Sequence, residues 1–238
     1  MRCMASDRLQ HNISRLLERV RLAALKSQRD PDGVAVLAVS KTRDAGEIRA
    51  AAALGLRAFG ENYLQEALDK IAQLRDLDLQ WHFIGPIQSN KTRAIAAAFQ
   101  WVHSVDRLKI AQRLSEQRPP ELPPLQVCLQ VNISGEASKS GVSLDELPAL
   151  ARAVLALPHL RLRGLMAIPE ATNDVAAQHR AFAALCQALE ALRKEAPNLD
   201  TLSMGMSADL EAAIAEGATM VRVGTDIFGA RPPRAGPV

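Results

Sequence analysis

The sequence is poor in aromatic residues, and its net charge is small. Only 3% of the 238 residues are Phe, Trp or Tyr, so a stacking platform for single-stranded nucleic acid is not expected. The formal net charge is +3, and the arginines are scattered along the chain instead of forming a basic block. These two features argue against a nucleic-acid partner.

Cysteines and long apolar stretches are also scarce. Cys3, Cys128 and Cys186 are far apart and form no CxxC pair, which argues against a disulfide framework and is typical of a reducing compartment. Residues 1–10 lack the apolar stretch of a signal peptide, and no window approaches the roughly 18 apolar residues of a membrane span. We therefore expect a cytoplasmic protein with no membrane partner.

The sequence does contain a repeated alternation of short apolar runs and helix-like segments. Most runs are continuously apolar, as in parallel strands that are buried on both faces. The predicted strands are Val34–Val39, Arg57–Gly60, Gln80–Gly85, Trp101–Ser104, Leu125–Ile133, Arg161–Ile168, Asp200–Met204 and Thr219–Gly224. The predicted helices between them are Ala45–Leu54, Leu64–Leu74, Lys91–Phe99, Leu108–Gln117, Leu144–Leu157, Val175–Glu195 and Ala208–Glu216.

This alternation predicts one domain over residues 1–238. Eight β/α units in about 200 residues favour a single (β/α)8 TIM barrel, with its core at about 34–231 and an extra N-terminal helix at about 7–28. An open doubly wound sheet is the alternative. However, no G-x-G-x-x-G turn follows the first predicted strand, and that turn is the usual sign of a dinucleotide-binding sheet.

Active sites of such barrels lie where the strands end. Lys41 stands at the end of the first strand, shortly after the apolar run Val34–Val39. A lysine near the barrel mouth lies in a region of low dielectric, which lowers the pKa of its amine and makes it nucleophilic. The alternative is a lysine whose ammonium group reaches the solvent at the rim.

The loops after the seventh and eighth strands favour the first interpretation. Ser207 precedes the helix predicted to begin at Ala208, so its hydroxyl and the following N–H groups are able to bind an anion. Gly224 and Thr225 add a closely approaching backbone and a second hydroxyl. Ser207 alone indicates only a helix cap, but both loops opposite Lys41 indicate a phosphorylated carbonyl ligand, because loops 7 and 8 form the usual phosphate site of these barrels.

Arg222 lies within the eighth strand, two residues before Gly224, so both are predicted to face the barrel interior. A buried arginine needs a partner. One candidate partner is a pyridine nitrogen, which would stay unprotonated opposite arginine. The other is an internal salt bridge, for example with Asp226 or Glu170.

Other signals are weaker. The histidines show no metal-ligand spacing, and no metal site is predicted. His82 is expected to pack inside or line the barrel. Asn62 and Tyr63 either line the pocket or cap the next helix, and the 134–141 loop with Lys139 is either a lid or an ordinary exposed loop.

Several segments together resemble the YggS/PROSC family. The resemblance runs in order from about Val34 to Arg231, which is nearly the whole chain. The matching segments are Ala38–Arg43, Phe59–Tyr63, Trp81–Lys91, Val131–Gly141, Gly164–Pro169, Leu202–Ser207, Met220–Thr225 and Ile227–Arg231.

The resemblance implies a pyridoxal 5′-phosphate (PLP) binding protein of vitamin B6 homeostasis, with a barrel similar to the N-terminal domain of alanine racemase. It implies that Lys41 carries the cofactor as a Schiff base and that Arg222 faces its pyridine nitrogen. The phosphate would be held by Ser207, Gly224 and Thr225, and Asn62 and His82 would line the pocket. Lys139 matches a family lysine associated with cofactor handling. Asp226 departs from the pattern, where a small apolar residue is expected.

Two functions are consistent with this resemblance. An amino-acid racemase needs two bases on opposite faces of the cofactor, and in racemases of this type a further domain after the barrel supplies one of them. Only about seven residues follow Arg231, and Tyr63 is an uncertain substitute. We therefore favour a non-catalytic PLP carrier, expected to be a monomer, whose recipients would be apo-forms of PLP enzymes.

Overall fold

The computed structural model describes residues 2–134 and 140–230, with side chains from residue 7 onward. Its strands form one closed parallel barrel in chain order, and the eighth strand pairs with the first. The strands are β1 (Ala35–Val39), β2 (Ala58–Glu61), β3 (Gln80–Phe83), β4 (Trp101–Val105), β5 (Leu125–Gln130), β6 (Leu160–Met166), β7 (Thr201–Ser203) and β8 (Met220–Val223). The predicted (β/α)8 barrel is therefore confirmed.

Helices alternate with these strands and surround the barrel. The helices are α1 (Arg2–Lys26), α2 (Ala45–Ala53), α3 (Leu64–Gln73), α4 (Thr92–Ala98), α5 (Leu108–Gln117), α6 (Leu147–Leu155), α7 (Val175–Arg193), α8 (Leu210–Ala215) and α9 (Thr225–Phe228). The extra N-terminal helix is confirmed as α1. None of the helices in the described ranges combines the length and the apolarity needed to cross a membrane.

Several helix boundaries differ from the sequence prediction, and one short helix was not predicted. Helix α6 begins at Leu147 rather than Leu144, and Pro148 occupies its first turn, where proline costs no helical hydrogen bond. Helix α8 begins at Leu210 rather than Ala208. The short helix α9 was not predicted, because four residues are too few for a helical period to be recognised.

The apolar strand residues are buried in two separate places. The main core lies between the sheet and the helices and contains Phe59, Phe99, Phe182, Ile48 and Ile110 among its fully buried side chains. A second cluster consists of Trp101, Cys128 and Met166. The ring of Trp101 stacks on His82 at 5.3 Å between centroids, and His82 points into the barrel, as shown below. This smaller cluster therefore fills part of the barrel interior.

Helix α1 packs against the helices that follow β7 and β8. It buries Ile13, Leu16, Val20 and Ala24, which recur every three or four residues and so form one face. This face packs on α8 and α9. Helix α1 thus lies beside the loops at the ends of β7 and β8, at the mouth of the barrel.

Candidate functional site

Lys41 lies in a tight turn after β1, at the mouth of the barrel. The N–H of Ser40 still donates to the sheet, at 3.0 Å from the carbonyl oxygen of Gly60. The turn closes through the Arg43 N–H, which donates to the Ser40 carbonyl at 3.0 Å, and Thr42 within it has a φ of 67°. A positive φ is uncommon for threonine. Lys41 itself is half-buried.

Lys41 shares a small cavity with the end of β8. The cavity has a volume of about 30 Å³. Its lining residues are Val39, Lys41, Arg43, Gly224, Thr225 and Gly229. Gly224 allows the two strand ends to approach, because a Cβ at this position would lie 3.0 Å from the carbonyl oxygen of Val39. The structure thus brings Lys41, Gly224 and Thr225 together around a space that accepts a small polar group.

Arg43 ties the loops after β1 and β8 together. Its Nη2 donates to the carbonyl oxygens of Gly229 at 2.6 Å and Ala230 at 3.0 Å. Its guanidinium carbon lies 5.7 Å from the centroid of the Phe228 ring, and only 9% of the side chain is exposed. No role for Arg43 is predicted from the sequence, because its partners lie far away along the chain.

Arg222 is buried beneath the mouth and is held by neutral acceptors. Its Nη1 donates to the carbonyl oxygen of Ser203 at 2.5 Å and to Ser203 Oγ at 2.9 Å, and its Nη2 donates to the carbonyl of Ala167 at 2.9 Å. The salt-bridge alternative is wrong for Asp226, which pairs with Arg19 instead. Glu170, the other candidate, is exposed and forms no ion pair with Arg222 within the described residues.

The charge of Arg222 makes this region electropositive. Burial lowers the pKa of Arg222 to about 10, while the nearby carboxylate of Asp209 opposes that shift. The guanidinium therefore remains protonated at neutral pH. A buried cation that is solvated only by carbonyl and hydroxyl oxygens favours an anionic ligand at the mouth.

A chain of hydrogen bonds runs from Arg222 through the barrel interior. Ser203 Oγ lies 2.8 Å from Nδ1 of His103, and Nε2 of His103 lies 2.9 Å from Nδ1 of His82. Nε2 of His82 lies 2.9 Å from Oε1 of Gln80, an exposed residue at the start of β3. Because β4 and β7 are not neighbours in the sheet, the contact between His103 and Ser203 must cross the barrel.

The hydrogen bonds between Arg222 and Gln80 all run in one direction, so that each group donates to the next. A guanidinium group only donates and the Gln80 amide oxygen only accepts, so with one proton on each ring Ser203 Oγ accepts from Arg222 and donates its own proton to His103. His103 then donates from Nε2 to His82, and His82 donates from Nε2 to Gln80. Both rings are neutral, because burial lowers the pKa of His82 to about 3 and the pKa of His103 well below 6.5.

The two buried, neutral histidines His82 and His103 predict that acid destabilises the protein. In the unfolded state each histidine binds a proton below its ordinary pKa of 6.5, whereas His82 in the fold binds one only near pH 3. The free energy of unfolding is therefore highest above pH 6.5 and falls as the pH decreases, by about 1.4 kcal/mol per pH unit for each histidine. Urea unfolding between pH 8 and pH 5 measures this slope.

The control for this prediction is His11→Gln, which removes an exposed histidine and leaves the slope as it is in the wild type. In ring NMR spectra, the His82 and His103 signals should not titrate between pH 8 and pH 5. Titration of either ring near pH 6.5 would contradict the neutral, directional chain.

Ser207 lies in a turn after β7, and the helix does not begin directly after it. Asp209 Oδ1 accepts from the Met206 N–H at 2.6 Å, so a turn precedes α8 and the helix begins only at Leu210. The prediction that the helix begins directly after Ser207 is therefore wrong. Ser207 is half-buried, its carbonyl accepts from Arg19 at 3.1 Å, and it is not among the residues that line the cavity at Lys41.

Asn62 and His82 also lie outside that cavity. Asn62 follows β2 at the mouth, and its buried Oδ1 accepts no hydrogen bond from the described residues. Tyr63 beside it is 47% exposed. His82 is fully buried and reaches Arg222 only through His103 and Ser203, so its contact with a ligand stays a prediction. Lys139 lies outside the described residues.

Comparisons with known proteins agree with this architecture. The sequence profile of the alanine racemase N-terminal domain family matches residues 5–232. A pyridoxal phosphate homeostasis protein of Pseudomonas aeruginosa is 69% identical over 92% of this chain and 94% of its own length. A protein of the same name from Escherichia coli is 52% identical over 93% of this chain and 96% of its own length.

The chain belongs to the YggS/PROSC family of pyridoxal phosphate homeostasis proteins. A solved structure agrees with this assignment. PipY of Synechococcus elongatus, in a structure with PLP bound, superposes with a TM-score of 0.77 at 41% identity and covers 88% of this chain and 98% of its own. The fold is thus that of the alanine racemase N-terminal domain, as predicted.

The departure from the YggS/PROSC pattern at Asp226 has a structural explanation. Nη1 of Arg19 donates to Asp226 at 2.5 Å, and its Nη2 donates to the carbonyl of Ser207. Arg19 also contacts Glu211 at the start of α8. One arginine of α1 therefore joins the loops after β7 and β8, and Asp226 supplies the carboxylate for it.

Proposed function

We propose that this chain binds PLP at the barrel mouth, with the ε-amine of Lys41 as the group that forms a Schiff base with its aldehyde. The observation that carries the proposal is the cavity that Lys41 shares with Gly224 and Thr225. Lys41 lines this cavity and carries an amine, while Gly224 and Thr225 on the other side offer a backbone N–H and a hydroxyl. PLP supplies an electrophilic aldehyde and a phosphate group to such a site, which is a combination that the two halves of the cavity match.

The surrounding residues fit the rest of that ligand. The hydroxyl of Thr225 and the peptide at Gly224 would contact the phosphate, and the positive charge of Arg222 would favour its negative charge. Arg222 has only protons to donate, so a pyridine nitrogen opposite it would accept a hydrogen bond and stay unprotonated. Asn62 offers a buried oxygen without a partner among the described residues. Ser207 and His82 remain proposed contacts on the strength of the family resemblance.

Known relatives support the same ligand. PipY, at 41% identity, has been solved with PLP bound. The relative from Pseudomonas aeruginosa is named a pyridoxal phosphate homeostasis protein. We extend this ligand and this role to the present chain.

We further propose that the protein carries PLP without substantial turnover. Racemisation needs a second base opposite the lysine. His82 and His103 are not suited to that role, because each ring is hydrogen-bonded at both nitrogens and fully buried. Neither histidine therefore offers a second base opposite Lys41. We propose a cytoplasmic monomer that delivers PLP to apo-enzymes, consistent with the two free cysteines Cys128 and Cys186.

The proposal is tested by adding PLP to the purified protein and recording the visible absorbance. A Schiff-base band should form in a one-to-one ratio and disappear on reduction with borohydride. Peptide mapping should then find the reduced pyridoxyl group on Lys41. An unchanged spectrum, or a label on other lysines alone, would refute Lys41 as the binding group.

Turnover is tested separately with the PLP-loaded protein. Incubation with L-alanine or L-serine should produce no D-enantiomer beyond the background of free PLP. Formation of the D-enantiomer at an enzymatic rate, on the order of 1–10³ s⁻¹, would show that the protein is a racemase and overturn the carrier proposal. Light scattering of the same sample tests whether the protein is a monomer.

A further inference from the structure

Side chains of α3 hold the two residues on either side of Lys41. Nζ of Lys70 donates to the carbonyl oxygen of Ser40 at 2.8 Å. Oε1 of Glu66 accepts from the backbone N–H of Thr42 at 2.6 Å. Lys70 and Glu66 also contact each other, with Nζ and Oε1 separated by 2.5 Å. The Lys41 turn is thus held on both sides by one ion pair.

A second carboxylate completes this cluster from within the sheet. Glu61, at the end of β2, is fully buried, and its Oε1 accepts from Lys70 at 2.8 Å and from the hydroxyl of Ser40 at 2.6 Å. Burial raises the pKa of Glu61, while the charge and hydrogen bond of Lys70 oppose that shift. Lys70 therefore has an acceptor for each of its three protons: Ser40, Glu61 and Glu66.

The cluster of Lys70, Glu61 and Glu66 is more specific in its contacts than the stability of the fold requires. A buried ion pair adds little net stability compared with apolar residues of the same volume, because both charges lose their hydration. Here the charges hold the backbone on both sides of one residue, and Thr42 is kept at a φ of 67°. A non-glycine residue in this conformation is strained and persists only where its surroundings enforce it.

We propose that Glu66 and Lys70 are positioning residues for Lys41. They hold the Ser40–Thr42 turn in the conformation that directs the Lys41 amine into the cavity beside Gly224 and Thr225. Neither residue lines that cavity, so their effect is exerted through the backbone. The inference rests on the proposed function, in which Lys41 is the reacting amine.

The main test variant is Glu66→Ala, which removes the acceptor of the Thr42 N–H. Glu66 is partly exposed, at 32% of its side chain, so the fold should tolerate the change. Asp69→Ala on the same helix is the matched control, because Asp69 is exposed and its carboxylate accepts a hydrogen bond from the exposed Gln65. Glu66→Gln keeps an oxygen at this place and serves as the rescue variant.

Two measurements on the protein without PLP report on the turn itself. Hydrogen exchange of the Thr42 amide should accelerate about tenfold or more in Glu66→Ala, which corresponds to the loss of one hydrogen bond to a charged group. The rate at which acetic anhydride labels Lys41, relative to Lys109 in the same sample, should also change. The exchange rate of the Thr42 amide and the labelling rate of Lys41 should stay at wild-type values in Asp69→Ala. In Glu66→Gln both rates should be close to the wild-type values.

A third measurement connects the turn to the ligand. PLP binding should weaken about tenfold in Glu66→Ala, with a melting temperature close to that of Asp69→Ala. Binding within twofold of the control, with unchanged amide exchange, would overturn the positioning role, as would a Glu66→Gln variant that is as impaired as Glu66→Ala. If wild-type protein takes up no PLP, the proposed function fails, but amide exchange and Lys41 labelling still decide the positioning role.

Discussion

Replacing Lys41 with alanine is expected to abolish the visible band that the protein forms with PLP. No Schiff base forms without the amine, and borohydride should then attach no pyridoxyl group to the protein. The described part of the cavity at Lys41 contains no second lysine that could replace it. Absorbance spectra and peptide mapping of the variant measure this loss.

The control for this variant is Lys109→Ala, which removes an exposed lysine of α5 and should leave the band intact. A Lys41→Ala protein with a full visible band would contradict the assignment of the amine.

An analogue without the aldehyde separates the amine from the rest of the site. Pyridoxine 5′-phosphate cannot form a Schiff base, so its binding depends on the groups that surround Lys41. Gly224, Thr225 and Arg222 remain in Lys41→Ala, and the affinity for this analogue should be within about threefold of wild type. That factor corresponds to less than 1 kcal/mol. Calorimetric titration of both proteins measures it, and loss of binding in the variant would indicate a damaged site.

Replacing Gly164 with alanine is expected to give the largest loss of stability. Gly164 pairs with Thr201 between β6 and β7, and a Cβ at Gly164 would lie 1.9 Å from the Thr201 carbonyl oxygen. The two strands must separate to relieve this overlap. Backbone displacement in a packed interior costs about 3 kcal/mol, which lowers the melting temperature by roughly 6–12 °C for a chain of this size.

The matched control is Gly33→Ala, because a Cβ at Gly33 would meet no atom within 4 Å. Its free energy of unfolding should lie within about 0.5 kcal/mol of wild type. The strand ends next to Gly164 carry Ala167 and Ser203, which hold Arg222. PLP affinity should therefore fall in Gly164→Ala at temperatures where the protein is still folded. A Gly164→Ala variant with the same melting temperature as Gly33→Ala would contradict the close approach of β6 and β7.

The barrel could be predicted because its signal is local and repeated. A parallel strand that is covered on both faces appears in the sequence as a short apolar run. Each of the eight strands in the structure overlaps a predicted run. The errors occur where a single side chain decides the boundary. At α8 the carboxylate of Asp209 binds the Met206 N–H and delays the helix, and a periodicity of apolar residues contains no information about such a bond.

The site could be predicted in part for a topological reason. Closing the barrel places the end of β8 beside the end of β1, so Lys41, Gly224 and Thr225 had to become neighbours once the fold was known. Ser207 lies in the turn between β7 and α8 and does not line that cavity. Its position depends on the contact with Arg19.

Lys41 at a strand end, the closed barrel and the Gly224–Thr225 loop beside Lys41 thus follow from the order of residues, since strand ends and loops are consecutive along the chain. The histidine chain from Arg222 to Gln80 and the pair Glu66–Lys70 around the Lys41 turn do not. His103 and Ser203 are 100 positions apart, and a hydrogen bond between them requires both the register of the barrel and the direction of each side chain. Packing of the whole chain sets the register of the barrel and the direction of each side chain. These in turn determine how Lys41 and Arg222 are held.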